Sequence, residues 1–125
     1  MSDLKPANTK ITLGNKEYSM RFTLNTIDDI QDKFNISIKD LPKLLNQNDR
    51  KIYKNITEIL AILINEGIDC DNDENGKNEN HINARYVGRY MDVTNNAANI
   101  NAIYAAFGSG IPESDEDESP NVTSE

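Results

Sequence analysis

The residues best able to do chemistry stand together in the middle of the chain. Asp71-Asn72-Asp73-Glu74-Asn75-Gly76 reproduces the D-x-D-x-N-G opening of an EF-hand calcium loop. In such a loop, oxygens at alternating positions converge on one ion and Gly makes the sharp turn between them. The second half does not follow. The twelfth position, which should supply a bidentate Glu, is Ile82, and the eighth, usually an aliphatic, is Asn78. Counting from Asp69 instead puts Glu74 where Gly belongs and Asn80 at the twelfth position. No second copy of the pattern occurs, although such loops work in pairs. The spacing therefore predicts an acidic loop over 69–80 in preference to a calcium-dependent regulator built on residues 71–82.

Other chemistry is thinly supplied. His81 is the single histidine, in a polar stretch beside an expected helix start, where a surface or capping role suits it. Cys70 is the single cysteine, and its acidic neighbours oppose the electropositive setting that a reactive thiolate needs. With one Cys and one His, a disulfide framework or a Cys/His zinc site within one chain is excluded. Gly14, Gly108 and Gly110 fit no phosphate loop or dinucleotide fingerprint. Asp28-Asp29 falls at an expected helix start, where the helix dipole accounts for two acids. No catalytic set, metal site or cofactor site assembles, and the reading is of a protein that is not an enzyme.

One basic–aromatic constellation remains. Arg85 and Arg89, like Tyr86 and Tyr90, are spaced i, i+4 and share one short helical segment. Such a face can bind a protein partner or nucleic acid. Two arginines make a poor nucleic-acid footprint, and a pI near 4.6 argues against duplex binding. The plain alternative is that the tyrosines pack on a core whose edge the arginines line.

The elements that must carry these residues can be read from periodicity. Residues 1–8, with Lys5, Pro6 and Asn8, are expected to form a flexible arm. Ile11 and Leu13, then Tyr18, Met20 and Phe22, alternate with polar residues around Gly14-Asn15-Lys16, which is a hairpin signal. A lone two-stranded hairpin is marginal in water, so its apolar face must rest on the helices that follow. A helix is expected from Asn25-Thr26, through Ile27, Ile30, Gln31 and Phe34, to a stop at Asn35. Ser37 with Asp40 resembles a capping pair ahead of Leu41, Leu44 and Leu45, with Pro42 in the first turn. The strongest pattern runs from about Asp49 to Glu66. There Ile52, Tyr53, Ile56, Ile59, Leu60, Leu63 and Ile64 make a core-facing stripe, widened by Ala61 and Ile62, and Gly67 is the expected left-handed stop. After the loop, a helix is expected from near Asn80, and a last one from about Thr94 to Phe107, ended by Gly108, Gly110 and Pro112.

Composition agrees with one modest domain of 125 residues. Aromatics are 6% and Trp is absent, so the core must be built from Ile and Leu. The 18 Asn residues read as the mark of an AT-rich genome and not of a function. The net charge of −8 is uneven: residues 113–125 hold six acids and no base, residues 69–80 hold five acids against Lys77, and the rest sums to +2. The C-terminal run is expected to be a disordered acidic tail. The longest uncharged apolar run, Ile59 to Ile64, is far short of the ~20 residues that span a bilayer. The N-terminus has no apolar core of a secretory signal, so a soluble intracellular protein is expected. The fold class is α+β, mostly α: an N-terminal β-hairpin packed on about four to five helices within a single domain over 9–112.

The order of these segments adds a resemblance. The hairpin region ITLGNKEYSMRFTLNTIDDIQDKF, the long helix KNITEILAILINEGI, then INARYVGRYM and NINAIYAAFGSGIPE, resemble the tail assembly chaperones of siphophages and related prophages over roughly residues 9–113. The likeness lies in hydrophobic spacing and short motifs. It implies a non-enzymatic protein that binds the tape measure protein in the host cytoplasm during tail morphogenesis and is absent from the finished virion. It also implies, for some relatives, a frameshifted longer form that binds the major tail protein. The family offers no active-site residues; exposed parts of the last two helices, including Arg85, Arg89 and Tyr104, are this reading's own candidates for partner contact. The alternative reading is a structural head–tail connector or minor tail protein. Self-association is open, and neither nucleic acid nor a membrane is expected as a partner.

Overall fold

The computed structural model describes residues 9–92, 94 and 96–110. The expected flexible arm and acidic tail lie outside them. Strands β1 (Thr9–Leu13) and β2 (Lys16–Met20) form an antiparallel hairpin in which Leu13 faces Lys16 and Thr9 faces Met20. The two-residue turn takes its positive φ at Gly14 alone (64°). Positive φ at only the first central residue is what a type II′ turn requires, and its twist suits a hairpin.

Five α-helices follow: α1 (Leu24–Phe34), α2 (Leu41–Leu44), α3 (Ile52–Asn75), α4 (Ala84–Tyr90) and α5 (Asn96–Gly110), with a short 3-10 turn at Ile38–Asp40. The expected mostly helical α+β architecture with a hairpin on a helical body is the one observed. Helix α3 is its axis. Ile56, Ile59, Leu60, Leu63 and Ile64 are at most 1% exposed, and Ala61 and Ile62 widen the stripe as expected. Side chains so placed stabilise by roughly 1.5–3 kcal/mol each. Tyr53 departs from the expected stripe: it is 48% exposed. The hairpin contributes Leu13, Tyr18, Met20 and Phe22 to the same core, and α5 contributes Ile100, Ile103 and Ala106.

Helix α1 begins earlier than the Asn25-Thr26 signal suggests. Thr23 is the N-cap, its Oγ1 accepting from the Thr26 N–H while the Thr26 hydroxyl accepts from the Thr23 N–H. Thr26, read as a cap, is the buried far member of this capping box. The earlier start leaves Asp28 and Asp29 beyond the first turn, so the helix dipole does not explain them. Asn35 ends the helix in the left-handed region (φ 55°), as expected. Pro42 sits in the first turn of α2, but Ser37 makes no side-chain cap bond.

The main correction concerns residues 67–80. Helix α3 does not stop at Gly67; it continues to Asn75, and Gly76 is its left-handed C-cap (φ 66°). Gly67 has a different purpose. A Cβ there would fall far inside van der Waals contact with the Ser19 carbonyl oxygen of β2. Two residues along, the Arg21 N–H donates to the Leu63 carbonyl at 3.1 Å. The continuation of β2 therefore lies directly on helix backbone, and glycine is the residue that permits it. Half of the expected acidic loop is thus helix, and Asp71, Asp73 and Asn75 are helical positions instead of loop ligands.

Residues 77–83 are not helical either, and α4 starts at Ala84 instead of near Asn80. This segment runs back along α3. The side-chain amides of Asn72 and Asn65 each bond both backbone groups of one residue, Glu79 and Ile82 respectively. Between them, His81 Nε2 meets Asp69 Oδ1 at 2.8 Å. Helix α4, N-capped by Asn83, then packs antiparallel to α3, bringing Gly88 beside Thr57. Helix α5 packs against β1 and α3; it starts at Asn96 and continues through Gly108, past the expected end at Phe107. Among the described residues, no helix is long and apolar enough to cross a membrane.

Candidate interaction surface

Helix α4 sorts its side chains by face. Val87 is fully buried and Met91 nearly so, which fixes the helix on α3. That orientation turns Arg85 and Arg89 outward, with Gly88 between them, and the three line a cleft of about 360 Å³. Neither arginine has a carboxylate partner among the described residues. The other sites of positive charge are mostly spoken for. Lys10, Lys16, Arg21, Lys33, Lys43, Lys54 and Lys77 each meet an acid within 4.0 Å.

The tyrosines of α4 turn toward the hairpin. Tyr86 is half-buried, and its hydroxyl lies 3.0 Å from that of Tyr18 on β2, with the rings edge to face at 6.4 Å. Tyr90 stacks at 5.1 Å from Tyr86 and covers the Gly14 turn, yet keeps 45% of its surface exposed. Lys16 lies over the Tyr18 ring and reaches Glu79 at 3.2 Å. Burial, with the Tyr86 hydrogen bond adding, pushes the Tyr18 hydroxyl up to about 12, so it stays neutral through the physiological range. The plain reading of Tyr86 as a packing residue is correct; Tyr90 does both, capping the turn and facing solvent.

Arg85, Arg89 and Tyr104 belong to two elements. Tyr104 stands on α5, 37% exposed, while the arginines share α4. Sequence periodicity missed two further exposed apolar side chains. Leu24 is 81% exposed at the start of α1, and Tyr53 faces outward near the start of α3. Tyr53 was hidden by its position within an otherwise buried stripe. Leu24 carried no signal, because its exposure follows from the cap at Thr23.

The remaining chemical candidates have structural explanations. Burial pushes the Cys70 thiol up, and Glu66, Glu74 and Asp73 add to this against the pull of Arg21. That is the setting of an inert thiol, on α3 instead of in a loop. The Asn75 amide and the Lys77 ammonium hold the Asp71 carboxyl below its usual range, each bonded to it. His81 is exposed and caps no helix; Asn83 does that. Among the described residues, no cluster of three His, Cys, Asp or Glu could hold a metal ion.

Comparison with family models, with curated proteins and with solved structures finds no match to any of them.

Proposed function

We propose that this chain is a tail assembly chaperone of a phage or prophage, a non-enzymatic protein that binds the tape measure protein while the tail is built. The observation that carries the reading is the pair Arg85 and Arg89 on α4, which has no acid partner among the described residues, beside the half-exposed Tyr90. Arginine and tyrosine combine charge, planar hydrogen bonding and apolar area, the mixture that dominates protein interfaces. The order of hairpin, long central helix, short helix and final helix is also the order on which the family resemblance rests. A tape measure chain is long and helix-rich, with apolar surface to cover until tube subunits enclose it. A small acidic protein bound in many copies would keep that surface soluble. The reading places the protein in the host cytoplasm and leaves it out of the finished particle.

Co-expression with the tape measure protein of the same phage tests this. The two should co-purify and the tape measure chain should gain solubility. Arg85→Glu with Arg89→Glu should weaken the capture while leaving the circular dichroism unchanged. Finding the chain as a stoichiometric component of purified particles would instead favour a connector or minor tail protein.

A further inference from the structure

Of the 18 asparagines, Asn75 alone is followed by glycine. The pair sits where α3 ends: Asn75 is its last residue, and Gly76 turns the chain out of the helix at φ 66°. Both are exposed, and beyond its chain neighbours nothing comes within 4 Å of the point where a Gly76 Cβ would stand. The C-caps of α1 and α4 return their N–H to the helix, Asn35 to the Gln31 carbonyl and Met91 to the Val87 carbonyl. The Gly76 N–H makes no such bond among the described residues. The nitrogen that follows Asn75 is thus free of a hydrogen bond, and no side chain of its own screens it.

Asparagines elsewhere are held in place. The amides of Asn55, Asn65, Asn72 and Asn99 bond backbone groups, and Asn83 caps α4. The Asn75 amide instead donates to the Asp71 carboxylate one turn back, which Lys77 also meets at 3.1 Å. Bringing the Asn75 Cγ onto the Gly76 nitrogen needs a rotation about ψ of Asn75. At the last helical residue that rotation turns the 75–76 peptide and leaves the helix before it in place, and Gly76 has the backbone freedom to absorb the change. In mid-helix the same rotation would break the ladder of backbone bonds.

We propose that Asn75–Gly76 is a site at which the folded chain modifies itself by deamidation. The Gly76 nitrogen gives up its proton and bonds to the Asn75 Cγ; the Cγ–Nδ2 bond breaks, and the amide leaves as ammonia. Water then adds to either carbonyl of the succinimide and opens it, giving aspartate or isoaspartate without any oxidant or reductant. The new carboxylate cannot donate to Asp71. It stands four residues from Asp71, a like-charge spacing, and at the helix end where the dipole disfavours an anion. That last turn also carries Asn72, whose amide grips Glu79. Conversion therefore loosens the end of α3 and its hold on Glu79 as the protein ages. This is separate from the function proposed above.

Full-length folded protein, held in mildly alkaline buffer and sampled over days, tests this by peptide mass mapping, with an isoaspartate-specific methyltransferase as second readout. Asn75 should convert roughly tenfold faster than any other asparagine of residues 9–110, Asn80 before His81 included, because only Gly76 offers a nitrogen with no side chain beside it. Asn75→Gln, which would have to close a larger ring, should abolish the conversion and leave the circular dichroism unchanged. Asn75→Asp carries the product's charge from the start; it should speed hydrogen exchange at the Glu79 amide several-fold and leave the Ile82 amide, held by Asn65, unchanged. Earlier conversion at another asparagine, equal conversion in Asn75→Gln, or an Asn75 that persists in the folded chain while it converts in urea would overturn the proposal. Unaltered Glu79 exchange in Asn75→Asp would overturn the loosening of α3.

Discussion

Asn65 grips Ile82 by both backbone groups: its Nδ2 donates to the Ile82 carbonyl at 2.8 Å, and its Oδ1 accepts from the Ile82 N–H at 2.8 Å. Two turns further along α3, Asn72 does the same to Glu79 at 3.1 and 3.0 Å. The pair acts as one strand of a ladder offered by side chains. It lays an otherwise irregular segment along the helix and so sets where α4 begins. A primary amide is the group for this, because it presents one donor and one acceptor side by side.

Replacing Asn65 by Ala should therefore cost about 2 kcal/mol, since two part-buried hydrogen bonds are lost together. Asn65→Asp keeps the acceptor and loses the donor, and should fall between Ala and the parent. Urea unfolding gives the energies. Hydrogen exchange at the Ile82 amide should accelerate in Asn65→Ala before any global change. An unaltered Ile82 exchange rate would show that the grip contributes nothing.

Gly67 and Gly88 make opposite predictions from the same substitution. Gly67→Ala drives a methyl into the Ser19 carbonyl and should destabilise by about 3 kcal/mol, at the upper end for overpacking. Gly88→Ala places its methyl at an ordinary 3.6 Å from Thr57 Cγ2 and gains helix propensity. It should raise stability by about 0.5–1 kcal/mol. Equal effects at the two positions would contradict the backbone contact described for β2 and α3.

Tyr18 ties stability to alkaline pH. Its hydroxyl is held at about 12 in the folded state against an ordinary 10, so the folded chain keeps a proton that the unfolded chain loses. The contribution is complete below pH 10 and is lost as pH rises from 10 through 12. Tyr18→Phe should flatten the stability profile in that window relative to the parent. Ultraviolet titration at the tyrosinate band should show one group fewer with a late transition.

Calcium should do nothing specific. Asp71 is bonded to Asn75 and Lys77, and Asp73 lies on the same helix, so their oxygens do not converge. Micromolar calcium should give no heat in calorimetry, and chelator should leave the melting temperature unchanged. A saturable heat near one equivalent would count against the helical assignment of 71–75.

Thr23→Ala removes the N-cap oxygen of α1 and a 2.7 Å hydrogen bond to Glu66. The expected cost is about 1 kcal/mol for the cap, with some addition for the second bond. Glu66→Gln should weaken only the second, so the two variants separate the contributions in a thermal melt.

Much of this fold is legible in the residues, and the exceptions share a cause. The alternation of Ile11, Leu13, Tyr18 and Met20, and the stripe from Ile52 to Ile64, report local periodicity, which a sequence displays directly. Gly67 looked like a helix end because its true reason is the neighbouring strand, which periodicity cannot see. The acids after it looked like a loop because their helix is extended by contacts with separate parts of the chain: Asp69 and Asn72 with residues 79–81, and Glu74 with Arg21. The abundance of Asn, set aside as a genomic trait, hides working members: Asn55, Asn65, Asn72 and Asn99 bond to backbone groups and Asn83 caps α4. Of the candidate surface, the arginine pair was legible from its spacing. Its lack of acid partners among the described residues was not, because that depends on which carboxylates the fold places nearby.

A hairpin has two rims onto which another extended chain could zip. Along β2 that rim is shut, because α3 backbone meets it at Gly67 and Leu63. Assemblies that propagate by adding strands must therefore start elsewhere on this molecule, and crowding many copies together does not recruit them through this side.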